Sequence, residues 1–584
     1  VRIDHIDGLF DPHSYLEHLR ELGARQVWVE KILAPGETMP ETWYTSGTTG
    51  YEFLNDAMGV LTDPGGEIPI KRIYRRFVDD VTPYDEEVHN SKRLVMETSL
   101  SGELFRLANA LDRLSEADYH TRDFTLESLR EALAEVAAAF PRYRTYLPHN
   151  AEEAAEVIRD TIARAKRRNP ATELSVYDFI ERSLVGEVRE DLEEARRAFV
   201  GRFQQYTAPV AAKGVEDTTF YRYLPLVALN EVGGEPDHFG TAPHAFHARA
   251  QFRAYRYPDN LLATATHDHK RGEDTRMRLI ALAEMPDLWQ RTLGLLDQEV
   301  RRQREASATP PFTERPSRND EYLFYQLLVG LYAGADKDTL ADRLVQYMEK
   351  AVREAKLRSS WLNPDEGYER VLTDFVRAMT DSRRVRRIIG PLSAELAACG
   401  FQNTLAQTIL KITTPGVPDF YQGSELFDLS LVDPDNRKPV DYERRRRMLD
   451  ELEPLLNHPE PEHVRNLYEH QTEFAKLYLT SRLLRFRSEH ADLFAGEYRV
   501  LEPSGDAAEH ILAYAREAER EALIVVIPRF PATPAGRHTL PLPGALQGRD
   551  WHEVLTGERV TADTALDTAA RPLPFTVLYS KTEW

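Results

Sequence analysis

Apolar and polar positions in the first 33 residues fall into two patterns. In "VRIDHIDGL" the apolar Val1, Ile3 and Ile6 are interleaved with Arg2, Asp4, His5 and Asp7, which predicts a strand dense in ionisable groups. "SYLEHLREL" (14–22) has helical apolar spacing. "QVWVEKIL" (26–33), an apolar run interrupted by Glu30 and Lys31, predicts a second, buried strand. Strand, helix and strand within 33 residues form a βαβ unit, and such a unit pairs its strands in parallel. "TSGTTGYEFLN" (45–55) predicts a third strand with a glycine-rich mouth.

Helical patterns dominate from about 56 to 255. In "NAEEAAEVIRDTIARAKRRN" (150–169), Asn150 followed by Glu153 predicts a capping box. "NLLATATHDHKRGED" (260–274) returns to strand character and ends in charge. Helices then run to about 400. "ILKITTPGVPDFYQGSEL" (409–426) predicts a further strand, near 409–414, leading into a Pro/Gly/aromatic loop. From about 506, "HILAYARE", "ALIVVIPRF", "HTLPLP" and "FTVLYS" read as short strands of an antiparallel β domain.

The whole chain of 584 residues is too long for one core. A net charge of −21 argues against a nucleic-acid partner. The basic runs 383–387 and 444–447 read as solvated helix faces. One cysteine, Cys399, excludes an internal disulfide or a cysteine metal cluster, and a reducing cytoplasm fits best. No apolar run approaches the ~20 residues of a membrane span.

Three predicted strands end in acids: Asp4 with Asp7, Glu30, and Asp268. Carboxylates at the ends of parallel strands suit glycosidic bond chemistry, where one attacks and another donates and then accepts a proton. "DHID" and "HDH" also invite a metal reading. Adjacent strand residues face opposite sides, so at most half could reach one ion, and no metal or other cofactor is expected.

The residues themselves carry a resemblance. "RIDHIDGL", "VEKIL" and "ATATHDHKR" resemble, in order and spacing, three signature regions of the α-amylase superfamily. Together with "GTTGYEFLN", "AKGVEDTTFYRYLPLVALNEVGG" and "PGVPDFYQGSELFDLSLVDPDNRKPVDY" they resemble its maltooligosyltrehalose synthase family over roughly residues 1–450. The resemblance implies an α/β fold: a (β/α)8 TIM barrel with strands four to eight present, a large helical insertion and a C-terminal antiparallel β domain. Its divisions would be 1–55 (strands four to six), 56–255 (insertion), 256–450 (strands seven and eight), 451–505 (helical linker) and 506–584 (β domain). On this reading the chain starts at barrel strand four, with residues 1–7 in that strand.

By the same resemblance, Asp4 is the nucleophile, Glu30 the acid/base and Asp268 the third carboxylate. Arg2 keeps Asp4 ionised, His267 bonds the same sugar as Asp268, His5 lies near the departing sugar, and Lys213 and Lys270 hold the released glucose. Tyr421 is a candidate stacking residue. His269 stands where the family has threonine. The implied substrate is a malto-oligosaccharide or glycogen-derived α-glucan, isomerised at its reducing end in trehalose biosynthesis, with a maltooligosyltrehalose trehalohydrolase as functional partner and neither nucleic acid nor membrane. An α-amylase-type hydrolase, or an inactive piece needing the first half of the barrel, is the alternative.

Overall fold

β1 (Arg2–Ile3) pairs in parallel with β2 (Trp28–Val29), which pairs in parallel with β3 (Gly47–Thr48). Each is two residues long. Between β1 and β2 lies α1 (Pro12–Glu21), started by Asp11, whose carboxylate accepts from the Ser14 N–H at 3.0 Å, and by proline at its first position. The βαβ expectation is met. The first strand is much shorter than 1–7, because the chain turns at His5 into a 3-10 helix over Ile6–Gly8. The computed structural model describes residues 1–79, 82–306, 315–334, 336–506, 508–533, 539–562, 564–567 and 573–582.

The chain folds into two compact units. The first comprises Val1–Thr49, Val81–Tyr223 and Val352–Trp361. Its core is a helical bundle. The helix Ser101–Glu116 buries Leu104, Leu107, Ala108, Leu111 and Leu114, a three- and four-residue spacing that makes one apolar stripe. These meet Leu129, Leu133 and Val136 of the helix Leu126–Ala139 and Phe199 and Phe203 of the helix Glu193–Ala211. The helix Ala151–Arg168 begins after Asn150, but no capping box forms: the Asn150 amide bonds Glu153, and Arg142 takes the other carboxylate oxygen of that glutamate at 2.5 Å.

The second unit comprises Gly50–Asp80, Leu224–Ala351 and Leu362–Trp584. In it β4 (Leu261–Leu262) pairs in parallel with β5 (Val417–Pro418). The strand expected at 409–414 is instead the end of a helix of 31 residues, Arg383–Thr413. Every residue from Leu405 to Thr413 is buried, so the run shows no helical period despite its helical backbone. The helix stops because Thr414, extended at φ −77° and ψ 164°, precedes Pro415. The C-terminal strands form a six-stranded antiparallel sheet in the order β11 (Arg559–Thr561), β10 (Asp550–Glu553), β13 (Thr576–Lys581), β8 (Glu521–Pro528), β7 (Ile511–Glu517), β6 (Glu497–Val500). β9 (Thr539–Pro541) pairs with β12 (Ala565–Asp567); the first residue of "HTLPLP", His538, lies outside the described residues. Among those residues no helix is long and apolar enough to cross a membrane.

Gly50 opens the helix α2 (Tyr51–Val60) at φ +93°, and a Cβ there would lie 2.4 Å from the Leu261 carbonyl oxygen. Gly50→Ala is therefore expected to destabilise the second unit by about 2 kcal/mol, through the left-handed backbone alone, with the overlap added. A fall in urea midpoint at unchanged slope measures it; an unchanged midpoint would mean that β4 shifts aside freely.

Candidate active site

The register of β1 and β2 fixes the first pair of carboxylates. Arg2 lies opposite Trp28 and Ile3 opposite Val29, and the Glu30 N–H donates to the Ile3 carbonyl at 2.8 Å. Asp4 and Glu30 are thus the first residues past matching ends of adjacent parallel strands. His5, with φ +49° and ψ +49°, then turns its own N–H onto the Glu30 carboxylate at 2.9 Å. Its ring lies over Gly8, where a Cβ would come within 2.4 Å of the imidazole. A left-handed non-glycine residue is costly and needs its surroundings to hold it. Here the return is a backbone donor aimed at the Glu30 carboxylate.

Behind these strand ends is a buried ionic cluster that the sequence analysis did not assign. Lys31 is fully buried, with Nζ 3.2 Å from Asp7 Oδ2 and 3.0 Å from Glu37 Oε1. Burial favours the neutral amine, but Asp7 and Glu37 outweigh it and hold Lys31 above its ordinary value. Burial in turn pushes Glu37 up despite that lysine. Tyr146 donates its hydroxyl to Asp7 Oδ1, and Arg144 donates to the Asp7 carbonyl at 2.9 Å.

Lys213 belongs to the same unit. It sits on a π-turn, Ala212–Glu216, that ends the helix Glu193–Ala211. Such turns often mark functional positions. Its Nζ lies 2.7 Å from Asp217, which outweighs partial burial and raises the lysine. Arg2 and Asp4 are exposed, whereas Lys31 and its partners Asp7 and Glu37 are buried.

The second unit carries the other predicted residues. The loop after β4 exposes His267 and Asp268, with His267 Nε2 3.2 Å from Asp268 Oδ2. The Asp268 N–H donates to Thr266 Oγ1 at 3.1 Å, and Asn436 donates to the His267 carbonyl at 3.0 Å. His269 faces the other way and is buried. The Thr266 N–H donates to its Nδ1 at 3.0 Å, which places the ring proton on Nε2, 3.3 Å from Ser430 Oγ. His269 is therefore the internal brace of the loop. The Tyr421 ring packs edge-on to His269 at 5.8 Å, and the Asp268 charge is among those acting on its hydroxyl. Lys270 is buried, and its backbone N–H donates to Glu231 at 2.7 Å.

The loop is anchored by a second buried cluster. Lys476 Nζ lies 2.8 Å from Glu273 and 2.7 Å from Asp274, and donates to the Leu426 carbonyl at 2.9 Å. Lys411 donates to Thr264 Oγ1 at 2.7 Å and lies 3.6 Å from Glu273. These charges hold Glu273 below the usual carboxylate range, although burial opposes them. The run "KRGED" signals charge at this place, but its partners are some 140 to 200 residues away in sequence and show no pattern of their own.

Burial lowers His269 to about 4, so the unfolded chain binds its proton more readily than the folded one. Stability should rise with pH between about 4 and the unfolded value of about 6.5, with His269 contributing roughly 3 kcal/mol across that window. His269→Gln should flatten this limb in denaturation midpoints from pH 4 to 7. His247, also lowered to about 4 by burial, keeps its own share. An unchanged slope would mean that His269 is not buried as described.

Comparison with known proteins adds the family. No protein-family model matches the chain. A Mycobacterium tuberculosis protein described as "Putative maltooligosyl trehalose synthase" is 33% identical over 587 residues, spanning 99% of this chain and 69% of that one. Among solved structures, maltooligosyltrehalose synthase from Arthrobacter ramosus matches with a TM-score of 0.83 at 34% identity, over 99% of this chain and 70% of that one. A hypothetical maltooligosyl trehalose synthase of Sulfolobus tokodaii gives a TM-score of 0.76 at 28% identity, over 99% and 69%. With such identity along nearly its whole length, the chain belongs to the maltooligosyl trehalose synthase family.

Proposed function

We propose that the protein isomerises the reducing-end α-1,4 linkage of a malto-oligosaccharide to an α,α-1,1 linkage by retaining double displacement. The observation that supports this most is the pairing of Asp4 and Glu30 at matching strand ends, with the Glu30 carboxylate tied to the His5 N–H at 2.9 Å. In a retaining mechanism the two carboxyl groups stand ~5–5.5 Å apart. Asp4 attacks C1 of the penultimate glucosyl unit while Glu30 gives its proton to the departing O4 of the terminal glucose. The freed glucose stays bound and turns. Glu30, now a carboxylate, takes the proton of its anomeric hydroxyl, that oxygen attacks C1, and Asp4 is released. Two inversions leave the donor carbon α-configured.

Asp268 and His267 hold hydroxyls of the reacting sugar, and Arg2 keeps Asp4 ionised, since an adjacent cation favours a carboxylate. Lys213, Lys270 and His5 retain the glucose, and Tyr421 offers a stacking face. The parallel strands β1–β5 belong in this reading to a (β/α)8 barrel, residues 56–255 to its helical insertion, and residues 506–584 to a separate β domain. The reaction belongs to trehalose biosynthesis in the cytoplasm, its product passing to a trehalohydrolase.

The test is product analysis on maltopentaose. The reading predicts a non-reducing pentasaccharide with little free glucose; glucose and maltotetraose in equal yield would instead make the protein an α-amylase-type hydrolase. Asp4→Asn should remove transfer and hydrolysis together, on the order of 10⁴-fold or more, because neither proceeds without the covalent intermediate. Lys213→Ala or His5→Ala should raise free glucose relative to the transfer product while cleavage persists. If both products decline in the same ratio, the residue does not retain glucose.

A further inference from the structure

β1 and β2 are only two residues long, so their ladder alone is a weak tether between two catalytic carboxyls. The stiffness comes from beneath. Side chains of successive extended residues point to opposite sides. Glu30 is thus directed to the strand ends while its neighbour Lys31 is driven inward. There the Lys31 ammonium is enclosed on every side. Asp7 comes from the loop after Asp4, and Glu37 comes from the turn it closes by accepting the Ala34 N–H at 2.9 Å. The Ile32 carbonyl accepts from Lys31 at 3.0 Å, and the rings of Tyr143 and Tyr146 stand 5.6 Å and 5.7 Å away. Asp7 is itself gripped by Tyr146, and Arg144 holds the carbonyls of Asp7 and Leu9. One cation thus ties together the segments 5–9, 30–37 and 142–146.

We infer that Lys31 is a positioning residue of the transfer reaction: by clamping the Asp7 loop to the Glu30 loop it sets where the Glu30 carboxyl stands relative to Asp4 and the departing oxygen. The inference rests on the proposed roles of Asp4 and Glu30. Lys31 is buried and touches no substrate, so its effect must travel through the placement of Glu30. Removing the ammonium leaves Asp7 and Glu37 facing each other across the space it filled. Both must then move or take up protons, and the two loops part. A displacement of about 1 Å at a proton donor is enough for a loss of about 10²-fold.

The experiment compares two donors with different needs for a proton. Maltopentaose requires Glu30 to protonate its leaving oxygen. An α-maltotriosyl fluoride does not, because fluoride departs as the anion. Lys31→Met is expected to lower kcat on maltopentaose by about 10²-fold with KM nearly unchanged, while the first burst of fluoride release changes by much less. Asp7→Asn, which keeps an oxygen for Tyr146 but loses the charge, should show the same skew in milder form and carries the test if Lys31→Met does not fold. Equal losses on both donors, or no loss on maltopentaose, would overturn the inference. Wild-type protein that forms no transfer product from maltopentaose would overturn instead the reading beneath it, and the clamp with it.

Discussion

An ammonium group that leaves water either meets an opposite charge or is driven toward its neutral form. Much of this structure follows from how it satisfies that constraint. Lys31 is withdrawn from solvent only because Asp7 and Glu37 arrive beside it from two other turns. Lys476 is withdrawn because Glu273 and Asp274 do the same. Removing one partner from such a cluster costs about 3–5 kcal/mol, since the remaining charge stays buried. Each cluster therefore locks together loops that are far apart in sequence. Those loops carry the candidate carboxylates: exposed Asp4 and half-buried Glu30 in the first unit, exposed Asp268 in the second.

The same economy explains the backbone at His5. A two-residue strand ends, and the next residue adopts a left-handed conformation that an imidazole side chain does not favour. The conformation aims the His5 N–H at Glu30 and sends Asp7 inward to Lys31. Gly8 leaves room for the His5 ring, whose position a side chain there would occupy. Charge pairing below and a hydrogen bond above thus act on the same short turn. Solvent-facing residues are held by residues buried behind them, a division that recurs after β4, where Asp268 is exposed and His269 buried.

Local patterns were legible in the sequence where they were complete within a few residues. Period-two alternation and helical spacing mark β1, α1 and β2, and the acids at the strand ends are visible as candidates from their positions alone. The glycine-rich mouth expected after the third strand is there: Gly50, at positive φ, carries the chain from β3 into α2. Other features depended on distant partners and left no local trace. The run "ILKITT" has strand-like β-branched residues, yet it completes a helix begun at Arg383, because burial on all sides hides the helical period. Asn150 and Glu153 have capping-box spacing, but Arg142 competes for the glutamate. Lys31 read as an interruption in an apolar run, although its charge is what the surrounding turns are built to meet.

The account turns on Asp4 forming a covalent bond to the sugar. A slow glycosyl fluoride that accumulates the intermediate, followed by proteolysis and mass spectrometry, tests this directly. The account predicts one added glycosyl group on the peptide Ile3–Arg20, with fragmentation placing it on Asp4 rather than on Asp7 or Asp11. A label on Glu30 or Asp268, or turnover with no covalent label at all, would contradict it.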